Sequence, residues 1–373
     1  MKRLLQICFL CFISFDEVLA QFTPDTSESF LNVSHPKNQR CFDIQSDFFL
    51  RNNEYFNNLY DGMTWIGVNL NPSLSYSFNV SLHINIGWYG RFYDGRNEPH
   101  VNSVFYKLRY NISPSLTLVM GYIDGYDKHQ LIEPLISTDY FYLQPPEKGL
   151  QFLLKNKIIS SDLWINWERF ILPQDNFKEE FVLGNSTQLH VLDKNNTGLD
   201  IPFNFTAKHK GGQQTTSSQL MQTYLNGAIG LNIHKIFPSK NQWGIMSYYV
   251  QYFDNSPTHI KQYIAGYGVY SNLYFKSLLF DIYGGYWYGE YYFSPIGEPL
   301  FQSLSQKYVI YEEPIKQVFL FKAQYKKSLS QHIPLFVRFE AYYDYKRNYF
   351  DYSYSLLINI NGRFKCMDLP MTP

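Results

Sequence analysis

The feature that most limits what this chain can become is a two-residue alternation that persists over unusual lengths. From Tyr352, one face carries Tyr352, Tyr354, Leu356, Ile358, Ile360, Gly362 and Phe364. The other carries Ser353, Ser355, Leu357, Asn359, Asn361 and Arg363. Side chains along a strand point to opposite faces in turn, so one face here is apolar and the other largely polar. A second run extends from Tyr76 to Trp88, with Phe78, Val80, Leu82, Ile84 and Ile86 opposed to Asn79, Ser81, His83 and Asn85. A strand in a soluble sandwich usually ends after about 5–6 residues. A tilted strand that crosses a bilayer needs about 9–11. Weaker copies occur at 104–111, 225–234, 319–326 and 335–344, with their charges opposite the apolar face. A charge facing lipid near the midplane costs about 2–4 kcal/mol, and turning it inward avoids that cost.

The connections alternate as well. Tight turns are expected at Asn71-Pro72-Ser73, Ser113-Pro114-Ser115, Asn156-Lys157, Pro238-Ser239-Lys240, Ser271-Asn272 and residues 328–332. Between them lie longer polar links at 51–61, 94–102, 125–147, 172–218, 254–260, 294–315 and near Arg347-Asn348. An up-and-down barrel with short periplasmic turns and longer external loops has this pattern. Six turns and seven links predict an all-β, transmembrane antiparallel barrel of about 14 strands, within a range of about 12–16. Residues 172–218 read as the largest external loop, and any hairpin formed by Phe181–Leu183 and Ile201–Phe205 would project from it without adding membrane strands.

Composition agrees. Aromatic residues make up 19% and charged residues 17% of the 373, with zero net charge. Such aromatic content argues against disorder. The lack of net or clustered positive charge argues against a nucleic-acid partner. Mean hydropathy is −0.29, and no apolar run after residue 20 is long enough for a membrane helix.

Lys2 and Arg3 precede an apolar run, Leu4 to Phe15, and Val18-Leu19-Ala20 fits a cleavage site. Residues 1–20 are therefore expected to be a signal peptide and 21–41 a polar periplasmic lead-in. Residues 42–366 would form the outer-membrane barrel and 367–373 a C-terminal tail. Cys8 and Cys11 leave with the signal. Cys41 and Cys366 would then flank the seam where first and last strands meet, and a disulfide between them is expected.

The stretch Arg51-Asn52-Asn53-Glu54-Tyr55-Phe56-Asn57, followed by Asp61-Gly62, resembles one in uncharacterised outer-membrane barrels of the Bacteroidota. The overall pattern resembles porin-like barrels of Gram-negative bacteria. That resemblance implies residence in the cell outer membrane, contact with its lipid and lipopolysaccharide, and a role in solute transport or in binding other outer-membrane proteins. Barrels of this kind commonly end on an aromatic residue; here Phe364 is followed by nine more, from Lys365 to Pro373.

The inward face is the main functional feature. Arg91, Lys107, Arg109, Glu168, Asp281, Lys322, Lys326, Arg338, Glu340, Asp344 and Arg363 all take that side. They would either line a pore for a small solute or pair with one another and fill the interior. Phe105, Trp164, Phe336 and Tyr342 take the same side and favour a narrow interior. Beyond the expected signal peptide, which takes Cys8 and Cys11 with it, no Cys-x-x-Cys occurs, and there is no His-Glu-x-x-His, so neither a metal nor a cofactor is expected. Lipid-cleaving barrels that the fold resembles place a Ser two residues after a His, and no His here has that spacing. A Ser and a His on neighbouring strands could still form a nucleophile pair, which no linear motif would reveal. The expectation from sequence is a porin-like channel that is not an enzyme, with an accessory binding barrel as alternative and a lipid- or peptide-cleaving barrel third.

Overall fold

The computed structural model describes residues 39–366, apart from residue 127. The signal peptide, most of the lead-in and the tail lie outside the described residues. The strands are β1 (Gln39–Glu54), β2 (Thr64–Ser77), β3 (Leu82–Tyr93), β4 (Val101–Ser113), β5 (Leu116–Tyr122), β6 (Lys148–Lys155), β7 (Ile159–Arg169) and β8 (Glu179–Lys194). They continue as β9 (Thr197–Gly211), β10 (Gln222–Ile236), β11 (Gln242–Asp254), β12 (Ala265–Lys276), β13 (Phe280–Glu290), β14 (Ile315–Ser330), β15 (Ile333–Asp344) and β16 (Tyr349–Lys365). Each pairs with its neighbours in sequence, and β1 pairs antiparallel with β16, so the sheet closes into a 16-stranded barrel. The strand count is therefore 16 rather than about 14.

The two added strands come from residues 172–218. This segment is not an external loop: β8 and β9 run through it and are paired along their length with each other and with β7 and β10. A two-residue turn joins them, with Lys194 opposite Thr197. Asn195 and Asn196 between them both have positive φ, 54° and 60°. That is the hairpin turn whose twist matches the flanking strands, and asparagine tolerates it better than most residues.

Two expected turns move. Asn71-Pro72-Ser73 lies inside β2, and the turn falls at residues 78–81. Pro72 has no N–H to give, and the pairing of β2 with β3 lapses there, passing from Leu70–Gly90 to Ser73–Gly87. Ser271-Asn272 lies inside β12, with the turn at 277–279. Neither shift disturbs face parity. Ile86, Val104, Leu231 and Phe321 are exposed on the outer face, while Asn85, Phe105, Asn232 and Lys322 are buried on the inner one.

The interior is filled by two of the long connections. Residues 123–147, which include the short helix α1 (Tyr140–Leu143), and residues 291–314 fold inward. Ile123, Leu131, Ile132, Leu135 and Ile136 from the first, and Phe293, Leu300 and Phe301 from the second, join wall residues Trp164, Tyr248, Tyr270, Trp287 and Tyr342 in one apolar cluster. Backbone hydrogen bonds tie the segments together, Ser137 N–H to Ile296 O at 2.7 Å and Glu298 N–H to Glu133 O at 2.9 Å. At the seam, Cys41 stands opposite Lys365, and the Cys366 N–H donates to Arg40 O. Both cysteines are free thiols, and Cys41 is buried on the inner face.

Two outcomes test this architecture. Ile86→Arg, near the middle of β3, should weaken folding into bilayers by about 2–4 kcal/mol, whereas Asn85→Arg, inward beside Asp43, should be milder. Denaturant titration in vesicles measures both. Deleting residues 179–211 should abolish the folded band in a heat-modifiability gel, because it removes two wall strands.

Candidate active site

The inward charges expected from the sequence are held in pairs. Arg91 Nε donates to Asn69 Oδ1 at 2.8 Å, and its other nitrogens reach the carbonyls of Phe141, Tyr142 and Gln144 at the end of α1. Lys107 and Arg109 both bind Asp124 at the start of the inward segment. Lys322 binds Glu133 within that segment. Glu340 accepts from Arg51 Nη1 at 2.7 Å, and Asp344 lies 2.5 Å from Lys316. Arg338 donates to Gln324 at 2.9 Å. Arg363 pairs with Asp43 at 2.6 Å and Lys326 with Asp281 at 2.7 Å, both towards the turn side of the barrel. Glu168 pairs with Lys208 near the opposite end. These residues do not converge on one site; they are spread around the wall, and several clamp the inward segment.

Arg51 is the deepest clamp. It is fully buried, and its Nε donates to Asp139 at 2.8 Å while Nη1 holds Glu340. Asn53 Nδ2 gives Asp139 a further hydrogen bond of 2.8 Å. Removing one member of such a buried pair typically costs about 3–5 kcal/mol, because the partner charge is left uncompensated. Nearby, burial pushes the Glu298 carboxyl up to about 8, and Asp139 adds to the effect. A second clamp is His129. Its Nδ1 lies 2.7 Å from Asp162 and its Nε2 2.5 Å from Glu147, and the ring stacks on Trp164 at 3.5 Å. Burial alone would lower its pKa, but the carboxylates of Glu147 and Asp162 outweigh that and raise it to about 10.

A different arrangement occupies the inner wall at the turn side. Ser160 is the second residue of β7, and His190 and Asp200 lie near the facing ends of β8 and β9. All three sit on the inward parity of their strands, and His190 stands directly opposite Asp200. Ser160 Oγ is 3.4 Å from His190 Nε2, and His190 Nδ1 is 2.8 Å from Asp200 Oδ1. The Asp200 carboxylate can only accept, so Nδ1 carries the proton and Nε2 is left as an acceptor for the serine hydroxyl. This is the order of groups in a serine nucleophile, its general base and the carboxylate that orients the base. The serine contact is long, as such contacts often are without substrate. Asp200 is itself held: Asn232 Nδ2 donates to its Oδ2 at 3.1 Å, and Tyr274 O–H donates to Asn232 Oδ1 at 3.0 Å. His190 retains 32% side-chain exposure and Asp200 only 4%, so the base is reachable and its orienting group is shielded.

The family model for lipid A 3'-O-deacylase-type proteins matches residues 32–368. The chain belongs to this family. That corrects the expectation of a barrel without enzymatic activity, because the deacylase-type family is a family of enzymes. No curated protein matches the deacylase-type chain by sequence. Among solved structures it is similar to a loop L8 deletion mutant of OmpT, an outer membrane protein of Vibrio cholerae. The identity is 9% and the TM-score 0.51, over 86% of this chain and 100% of the other. OccAB1 of Acinetobacter baumannii is similar at 10% identity and a TM-score of 0.51, over 89% of this chain and 99% of the other. The outer membrane protein OprD of Pseudomonas aeruginosa matches at 8% identity and a TM-score of 0.50, over 89% and 96%. These likenesses establish the fold: the deacylase-type chain is an outer-membrane barrel.

Sequence reasoning missed Ser160, His190 and Asp200 as a group because they lie on three strands, two of them read as loop. The available signal was the Asn195-Asn196 turn, which folds His190 back onto Asp200.

The His129 clamp carries a pH signature. Its folded pKa lies above the ordinary value of 6.5, so its stabilisation is complete below that value and is lost as pH rises through about 10. Hydrogen exchange of residues 123–147, corrected for intrinsic rate, should therefore accelerate between pH 7 and about pH 10. A His129→Gln barrel should lose most of that pH dependence.

Proposed function

We propose that this barrel is an outer-membrane serine ester hydrolase, with Ser160 as nucleophile, His190 as general base and Asp200 as the group that orients it. The observation that carries the reading is the hydrogen-bonded order Ser160–His190–Asp200 across three adjacent strands. His190 takes the serine proton as Oγ attacks an ester carbonyl, forming an acyl-enzyme and releasing the alcohol, to which His190 returns the proton. Water, deprotonated by the same histidine, then frees the acid. The family's description names an O-acyl ester, and ester cleavage is the chemistry this array supports. The paired and buried inward charges favour a catalytic wall around a filled interior over conduction of small solutes. The chain's lipid and lipopolysaccharide surroundings make acylated molecules locally abundant.

Ser160→Ala and His190→Ala should each lower hydrolysis of p-nitrophenyl acetate by about a thousandfold or more. Ser161→Ala should change it little, since that side chain takes the other face and bonds Thr187. Stopped assays on purified, folded protein, with fluorophosphonate labelling of Ser160, check this. Wild-type levels in both Ser160→Ala and His190→Ala would reject the assignment.

A further inference from the structure

The lipid-facing surface differs around the barrel. On β14 the outward positions carry Phe319, Phe321, Ala323 and Tyr325, as lipid requires. On β7 and β8 three outward positions are polar instead. Ser161 Oγ lies 2.7 Å from Thr187 Oγ1, and the Thr187 hydroxyl donates to Asn185 Oδ1 at 3.0 Å. Asn185 Nδ2 donates to Ser161 Oγ at 3.3 Å and to Asp162 O at 3.2 Å. The three side chains are half-buried, and exposed Phe152, Leu163, Leu183, Leu189 and Phe203 surround them. Register sets their depth. Asn185 stands opposite Leu163, five residues beyond Ile158 in the turn that precedes β7. At about 3.3 Å per residue and a tilt of about 40°, that is roughly 12 Å above the turn. The apolar belt of such a barrel is about 25 Å tall, so the amide lies near its middle. No water reaches that depth, and polar groups held against hydrocarbon cost free energy that bonds within the patch only partly offset.

The wall beside the patch is also low. β5 has 7 residues and β6 has 8, whereas every other strand has 11 or more. A spanning strand needs about 9–11. The ladder between β4 and β5 ends at Lys107–Gly121, although β4 begins six residues earlier, at Val101. A segment too short for the bilayer thins the membrane around it or associates with a neighbour. Two features that lipid disfavours therefore share one side of the barrel.

We propose that this outward face, β5 to β8, docks a second copy of the chain, the two barrels standing side by side about an axis along the membrane normal. Copies of one chain insert in one orientation, so a symmetric pair brings residues of equal height together. A charge on such a face would meet its like. Hydroxyl and amide groups both donate and accept, and a hydroxyl rotates, so they can bond to copies of themselves. The strand row through the patch, Leu118–Phe152–Leu163–Asn185–Phe205, contains no charged side chain. A lipid phosphate would find no cation there, whereas an identical face offers matching amide, hydroxyl and apolar groups. This docking is independent of the hydrolase reading, because Ser161 and Ser160 point to opposite faces of β7.

The test uses the full mature chain. Leu163→Cys and Leu189→Cys, each with Cys41→Ala and Cys366→Ala, should give disulfide-linked dimers when intact cells are oxidised with copper phenanthroline. Phe321→Cys, on the far side of the barrel, should not. In phosphatidylcholine vesicles, Förster transfer between chains labelled at Cys366 should fall on lipid dilution and yield a Kd. Asn185→Leu combined with Thr187→Val should raise that Kd about tenfold. Both replacements suit lipid, so the folded band in a heat-modifiability gel should persist. Ser271→Val removes the outward Ser247–Ser271 hydrogen bond on the longer strands β11 and β12 and should leave the Kd unchanged. Transfer no higher than random encounter gives would overturn the proposal. So would cross-links through Phe321→Cys alone, or from Leu163→Cys and Leu189→Cys only to a different protein. A folded Asn185→Leu/Thr187→Val chain with the wild-type Kd, or an equal loss in Ser271→Val, would overturn the assignment of this face.

Discussion

In the hydrocarbon of a bilayer no water is present to satisfy a peptide group, so a strand-built protein must close its sheet. Pairing of β1 with β16, from Cys41–Lys365 to Glu54–Tyr352, meets that demand. The rest of the structure depends on this closure. It divides every strand into a lipid face and an inner face, which is why Ile86 and Asn85, adjacent in sequence, meet such different surroundings. It also creates an interior that has to be filled with water, side chains or chain.

This barrel fills it with chain. Residues 123–147 and 291–314 carry enough apolar surface to form a core with the wall, and the wall supplies charges to hold them. Lys107, Arg109, Arg91 and Lys322 each bind the first segment, and Arg51 reaches Asp139 within it. Buried ion pairs contribute little net stability against an apolar alternative, but breaking one is costly. They therefore define where the segment lies more than how stable the barrel is. Filling of the centre leaves the ends accessible, and the Ser160–His190–Asp200 array lies at one of them.

That array is a product of register. His190 and Asp200 are brought face to face by a two-residue turn, and Ser160 arrives from the next strand opposite Gln188, two residues before His190 and on the same face. A shift of one residue in any of the three strands would send one member to the lipid face. Wall strands are rigid supports, which suits a nucleophile and base that need fixed geometry. The hydrogen bonds from Tyr274 to Asn232 and from Asn232 to Asp200 extend the support by another two strands.

By itself the sequence determined the barrel class, the outer-membrane address and, on most strands, which side chains point inward. Period-two alternation is a local property, and lipid enforces it residue by residue. Face parity survived even where the turns at 71–73 and 271–272 were misplaced, because a strand that continues straight keeps its parity. The count of 16 strands was harder to read, since β8 and β9 contain polar, hairpin-like sequence whose membrane role depends on neighbours that pair with them. Only tertiary structure decided that residues 123–147 turn inward, that Arg51 finds Asp139 from 88 positions away, and that Ser160, His190 and Asp200 meet. Each of these is a contact between groups distant along the chain, set by closure and register, and no local pattern of residues encodes it.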